Sequence, residues 1–170
     1  MTRIFVLDSD PANLICQREK HHEAGELRIW MFGQRANGAV IAIPEIVDYE
    51  VRRKLIHNRA LDSLKRLDRL QEFDGEKQPL IRYLPITTVA MRKAAELWAE
   101  ARWRGESTAD PKALDGDVIL AAQAMLFCEG AADWSVVTEN ANHISRYIPG
   151  HVQSRRAVVD EWLKSSKSWI

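Results

Sequence analysis

Asp8 and Asp10 stand directly after the apolar run Ile4 to Leu7. A carboxylate at the end of a buried strand is costly unless it is protonated, paired or bound to a cation. Ligands of open parallel sheets bind beyond the carboxyl ends of the strands, which makes Asp8 a candidate site residue. Its local alternative is a turn or an extra helix cap. Asp10 immediately precedes Pro11, so it is expected to cap a helix that has proline at its first position.

A second acidic group, Glu45, Asp48 and Glu50, follows Pro44 in the stretch PEIVDYEVRRKL. At helical spacing Ile46, Val47, Val51 and Leu55 form one apolar arc, with Glu50 inside it, Asp48 at its edge and Glu45 pointing away. Glu50 therefore either joins a shared site or pairs with Lys54 one turn on, in the favourable i, i+4 order. The third group, Asp115 and Asp117, opens the apolar run VILAAQA. Asp115 suits the role of helix cap, whereas Asp117 lies where a fully buried helix begins and would point into a cleft.

Asp8, Glu50 and Asp117, on three separate elements, would repel one another unless a positive charge lay between them. A divalent cation supplies that charge, and oxygen donors without a His or Cys cluster match Mg²⁺ or Mn²⁺. Such sites suit in-line attack on a phosphodiester. Thr138 ends another predicted strand, at the same edge as Asp8.

The elements that must hold these residues alternate. Ile4 to Leu7, Ala39 to Ile43, Leu80 to Leu84 and Trp134 to Val137 read as strands. Helices are expected from Pro44 to about His57, Ala60 to Phe73, Thr87 or Thr88 to about Trp103, and Val118 to Phe127, with Gly130 ending the last. Arg104 to Lys112 is polar and rich in loop formers. This order implies an α/β fold: one domain over residues 1–170, with a mostly parallel central sheet of four to five strands and helices on both faces.

The 170 residues are 46% hydrophobic, enough for a substantial core. Lys and Arg total 24, as do Asp and Glu, so no global field draws the chain to a polyanion. Any such partner needs a local patch. Cys16 and Cys128 lack disulfide or zinc spacing and read as reduced core thiols, which points to the cytoplasm. The apolar stretch near Met1 is too short for a signal peptide or a membrane span.

The segments FVLDSD, PEIVDYEVRRKL, LDGDVILAAQA and WSVVTENANHISRYIPG, in this order, resemble a PIN domain of the kind found in VapC-like toxin ribonucleases. The resemblance covers almost the whole chain. It implies that Asp8, Glu50 and Asp117 bind Mg²⁺ or Mn²⁺ in an endoribonuclease, and that Thr138 orders the acids. It further implies a small antitoxin partner and a homodimer formed through helices remote from the acids. Relatives commonly carry a fourth acid shortly after the threonine, where this chain offers Asn140 and His143, and many have asparagine where Asp10 stands. Asn140 is then a holder of metal-bound water or a helix cap, and His143 a phosphate contact or a surface histidine.

RNA contacts would fall to local cations such as Arg52, Arg53, Arg102, Arg104 and Lys112. Trp98 and Trp134 sit in patterned segments and are expected in the core rather than in base stacking. Two other readings stand beside this one. Asp8-Ser9-Asp10 is similar to the motif of haloacid-dehalogenase-like phosphatases, although Ala12 and LDGDVIL depart from that pattern. The missing fourth acid also suits a catalytically weak or inactive PIN-like domain that binds RNA or protein.

Overall fold

The computed structural model describes residues 2–17, 21–70, 81–106 and 115–167. The chain opens with β1 (Ile4–Leu7), which is buried on both faces from Phe5 onward. It continues through α1 (Ser9–Ile15), α2 (His22–Ala36), β2 (Val40–Pro44), α3 (Glu45–His57) and α4 (Leu61–Arg69). Then come β3 (Arg82–Leu84), α5 (Thr88–Trp103), α6 (Gly116–Phe127), β4 (Trp134–Thr138), α7 (Ala141–Ile144), β5 (Val152–Ser154) and α8 (Arg155–Lys167). The expected helix end near Gly75 lies outside the described residues.

All strand pairings are parallel, in the order β3-β2-β1-β4-β5. Parallel neighbours cannot be joined by hairpins, so helices carry the crossovers and cover the sheet. Two strands are added successively on one side of β1 and two on the other. The order reverses between β1 and β4, and ligands of open parallel sheets bind at such a point, beyond the carboxyl ends of the strands. Registers of Val6 with Val136 and Leu7 with Val137 bring the residues after β1 level with the end of β4.

The core runs along both sheet faces. Phe5 meets Trp30 of α2 edge to face, with ring centroids 5.0 Å apart. Gly33 of α2 lies so close to the Trp162 ring of α8 that a Cβ there would collide with it. Helix α5 packs against α6, with Ala90, Ala94, Leu97 and Ala101 of one and Val118 to Ala124 of the other buried. Both cysteines are buried and unpaired, as expected. Burial pushes each thiol from its ordinary 9.0 up to about 12. Trp134 is half-buried and packed against the core, and Trp98 likewise.

One local expectation changes and one open choice is decided. The residue that caps α1 is Asp8, not Asp10, because the helix begins at Ser9 and places Pro11 two residues inside it. Thr87, rather than Thr88, caps α5 by accepting from the Ala90 N–H at 3.1 Å.

Candidate active site

Asp8 ends β1 at the reversal point and is only 8% exposed. Its Oδ1 accepts from the Ser9 N–H at 2.6 Å and its Oδ2 from the Thr138 hydroxyl at 2.6 Å. Thr138 is fully buried, and its oxygen in turn accepts from the Asn140 N–H at 2.8 Å. One threonine thus fixes both the carboxylate of β1 and the chain entering α7. The Asn140 side chain makes no cap bond to α7, so its contribution to the ordering is made by the backbone.

Glu50 reaches this edge from the middle of α3. It is half-buried rather than enclosed, accepts from the Ser9 hydroxyl through Oε2, and forms no ion pair with Lys54 among the described residues. The acid that α3 buries is instead Asp48, 7% exposed, which receives Arg52 Nε at 2.8 Å and Nη2 at 3.0 Å. Sequence periodicity placed Asp48 at the edge because it does not register a bidentate arginine one turn away. The Glu50 Oε1 lies against Gly116, where any Cβ would strike it. Glycine at that position lets α3 bring a carboxylate up to the first turn of α6.

That first turn holds the other two acids. Asp115 caps α6 through the Val118 N–H at 3.3 Å, as expected, and its second oxygen accepts from the Tyr147 hydroxyl at 2.8 Å. Asp117 follows one residue inside the helix. Its carboxyl pKa rises from the ordinary 3.8 to about 6, first through burial, then through the charges of Asp8 and Asp115, with a smaller push from Glu50. His143, on α7, opposes that rise. Its Nδ1 is 3.7 Å from Asp117 Oδ2, so it stands beside the acids rather than as an unrelated surface residue.

Asp8, Glu50, Asp115 and Asp117 therefore share one field at the carboxyl edge of the sheet. Among the described residues, however, no three carboxylate, imidazole or thiol side chains stand in a ready coordinating arrangement. The acids have turned instead to local donors: Ser9 and Thr138 for Asp8, Ser9 for Glu50, Tyr147 for Asp115.

Asp10 is taken up by a different partner. Arg155, buried at the start of α8, binds Asp10 at 2.9 Å, Glu139 at 3.3 Å and Glu23 at 3.4 Å. Glu139 also accepts from the Arg156 N–H at 2.9 Å. Asp10 and Glu139 thereby share one guanidinium with Glu23. Of the cations expected to meet RNA, Arg52 is engaged by Asp48 and Asp68, and hydrogen bonding to Asp48 raises its pKa further. Arg104 is held by Glu106 and the Arg146 carbonyl. Arg102 stacks on Trp98, and Arg53 remains exposed beside Tyr49. Lys112 lies outside the described residues. Ser9, Gly116, Tyr147 and Arg155 escaped sequence reasoning, and only the adjacency of Ser9 and Gly116 to candidate acids was a signal for any of them.

No family model matches the chain, and no curated protein matches its sequence. Solved structures do match the fold. VapBC2 from Rickettsia felis bound to a promoter DNA fragment matches with a TM-score of 0.63 and 14% identity, covering 89% of this chain and 98% of that one. FitAcB from Neisseria gonorrhoeae matches at 0.62 and 15% identity, covering 89% and 98%. FitAB bound to the IR36 DNA fragment matches at 0.61 and 15%, covering 89% and 94%. The fold is PIN-like. In this PIN-like chain no described helix is long and apolar enough to cross a membrane.

Proposed function

We propose that this protein is a metal-dependent endoribonuclease that hydrolyses RNA phosphodiesters and acts in the cytoplasm as the toxin of a two-component toxin–antitoxin module. Asp8, Glu50 and Asp117 hold Mg²⁺ or Mn²⁺, and Thr138 keeps Asp8 turned toward the crevice. The observation that carries this reading is the state of Asp117, which burial and two neighbouring aspartates push to about 6. Negative charge gathered around Asp117, whose one ion-pair neighbour among the described residues is His143, suits a hard divalent cation. The donor set fits such an ion in chemistry, being all oxygen at the core of the cluster.

The ion would activate water and stabilise the leaving oxygen. The protein's own part is to fix Asp8 through Thr138, to admit Glu50 past Gly116, and to offer the Asn140 amide for a metal-bound water and His143 for phosphate. The shared fold with VapBC and FitAB assemblies supports an antitoxin partner, and the same reading includes a homodimer formed through helices remote from the acids.

A second reading is a catalytically silent PIN-like domain that binds RNA or protein. It is favoured by the lack, among the described residues, of three donors already converged. Incubating purified wild type and Asp8→Asn with single-stranded and structured RNA, with and without Mn²⁺, separates the two. Cleavage by wild type alone, only with Mn²⁺, supports the nuclease. Intact RNA throughout, with Mn²⁺ raising the melting temperature of both proteins equally, supports the silent domain.

A further inference from the structure

The ladder between β1 and β4 stops just short of the acids. Its final pairs are Val6 with Val136 and Leu7 with Val137, and the Asp8 N–H donates to the Val137 carbonyl at 3.1 Å. Beyond that bond the two chains part, one into α1 and the other into α7. Ladder hydrogen bonds no longer fix their separation, so side chains must. One such link is the Thr138 hydroxyl on Asp8. Arg155 makes another.

Arg155 opens α8 directly after β5, whose Ser154 is in register with Thr138. Its Nε donates to Oδ2 of Asp10, two residues past Asp8, at 2.9 Å, and stands 3.3 Å from Oε1 of Glu139, the residue after Thr138. Nη2 reaches Glu23 Oε2 of α2 at 3.4 Å. The same Glu139 oxygen accepts from the Arg156 N–H at 2.9 Å, which ties it to the first turn of α8. One guanidinium thus joins the exit of β1, the exit of β4 and α2.

Burial shows which partner sets the geometry. The Arg155 side chain is 10% exposed, whereas those of Asp10, Glu23 and Glu139 are 51%, 44% and 39% exposed. Carboxylates this wet are served by water and gain little from pairing. A buried guanidinium, by contrast, is costly unless its donors are filled, and its planar fork fixes the directions in which they are filled. Arg155 therefore sets where the two exits lie. Three carboxylates outnumber Arg155 and Arg156 together, so the cluster does not draw a phosphate.

We propose that Arg155 is a positioning residue of the acidic site: by holding Asp10 and Glu139 it fixes the two strand exits, and through them keeps Asp8 against Thr138 in the orientation that takes the ion. The part concerning the ion rests on the ribonuclease reading. The hold on Asp8 and Thr138 does not.

A double-mutant cycle followed by urea denaturation in EDTA tests that hold without metal or RNA. A merely structural arginine gives losses that add to those of Thr138→Val, whereas a shared frame makes them non-additive. The expected result is that Thr138→Val lowers the folding constant at least about threefold less in Arg155→Met than in wild type. Arg156→Ala is the control on the same turn, because the Arg156 side chain pairs with Glu23 at 3.5 Å, and it should leave the effect of Thr138→Val unchanged. Should Arg155→Met not fold, Arg155→Lys takes its place in the cycle with the same expectation.

A Mn²⁺ titration read by thermal shift tests the orientation of Asp8. Removing Arg155 leaves Asp10 and Glu139 without their cation, a change that by charge alone would tighten Mn²⁺. Lost positioning weakens it instead, by about tenfold in Arg155→Met, with Arg155→Lys recovering part of the loss. Additive losses in the cycle overturn the proposal, as does Mn²⁺ bound at least as tightly by Arg155→Met as by wild type. Failure of the ribonuclease reading shows separately, as a wild type that neither binds Mn²⁺ nor cleaves RNA while the cycle still shows coupling.

Discussion

The Thr138 hydroxyl donates to Asp8 Oδ2 at 2.6 Å, joining residues 130 positions apart across the point where the strand order reverses. Replacing it by valine keeps the shape and removes the donor. Thr138→Val should cost about 1–3 kcal/mol, because Asp8 is left buried with one oxygen unserved. Thr138→Ser should cost about 1 kcal/mol, the value of the lost methyl. Urea denaturation checks both. A Thr138→Val variant as stable as wild type, beside a loss in Thr138→Ser, would show that the methyl, not the hydrogen bond, matters.

Gly116→Ala tests the approach of Glu50 to α6. The new Cβ meets the mobile end of a glutamate rather than backbone, so the fold survives and the carboxylate swings aside. Stability without divalent ions should stay level or rise by up to about 1 kcal/mol, because alanine is the better helix former. The Mn²⁺ affinity, measured by thermal shift across a titration, should fall about 10–100-fold, as when a group supporting a metal site is displaced.

Asp117 predicts a pH dependence with a definite sign. Its carboxyl titrates at about 6 in the fold and near 3.8 ordinarily, so its favourable contribution is full below about 3.8 and is lost as pH rises through about 6. At pH 8 in EDTA the wild type carries the penalty of a crowded anion. Asp117→Asn should therefore be more stable than wild type by about 1 kcal/mol after allowance for solvent screening. The gap should close as pH falls toward 4. Denaturant titrations at several pH values measure it, and a gap that stays constant would rule out the charge as its cause.

Much of the acidic edge was legible in sequence. Asp8 and Thr138 announce themselves because apolar runs end on them, and Asp117 because an apolar helix starts there. The α/β class followed from strands alternating with helices. What was illegible depends on contacts distant along the chain. Nothing local marks Arg155 as the partner of Asp10, Glu23 and Glu139, or Tyr147 as the donor to Asp115. Asp10 was misassigned as a cap because Asp-Pro is a common helix start, whereas α1 begins two residues earlier. The segment forming α2 mixes glycine, charge and aromatics without a clean stripe, and packing of Trp30 and Gly33 against the core decides its structure.

Cys16 and Cys128 should resist modification in the folded protein. With each thiol pushed up to about 12, only about one in 10⁴ is thiolate at pH 8, and both side chains are buried. Iodoacetamide at pH 8 should leave both unlabelled over a time that fully labels them in urea, with mass spectrometry as the readout. Rapid labelling of either thiol in the native protein would contradict its placement.

The long separation between Asp8 and Thr138 also bears on synthesis. At roughly 5–20 residues per second, the first strand waits on the order of ten seconds before its partner threonine leaves the ribosome, and Arg155 emerges later still. The catalytic edge proposed for this chain therefore cannot form before Thr138 has emerged, and any shorter nascent length lacks the donor that holds Asp8.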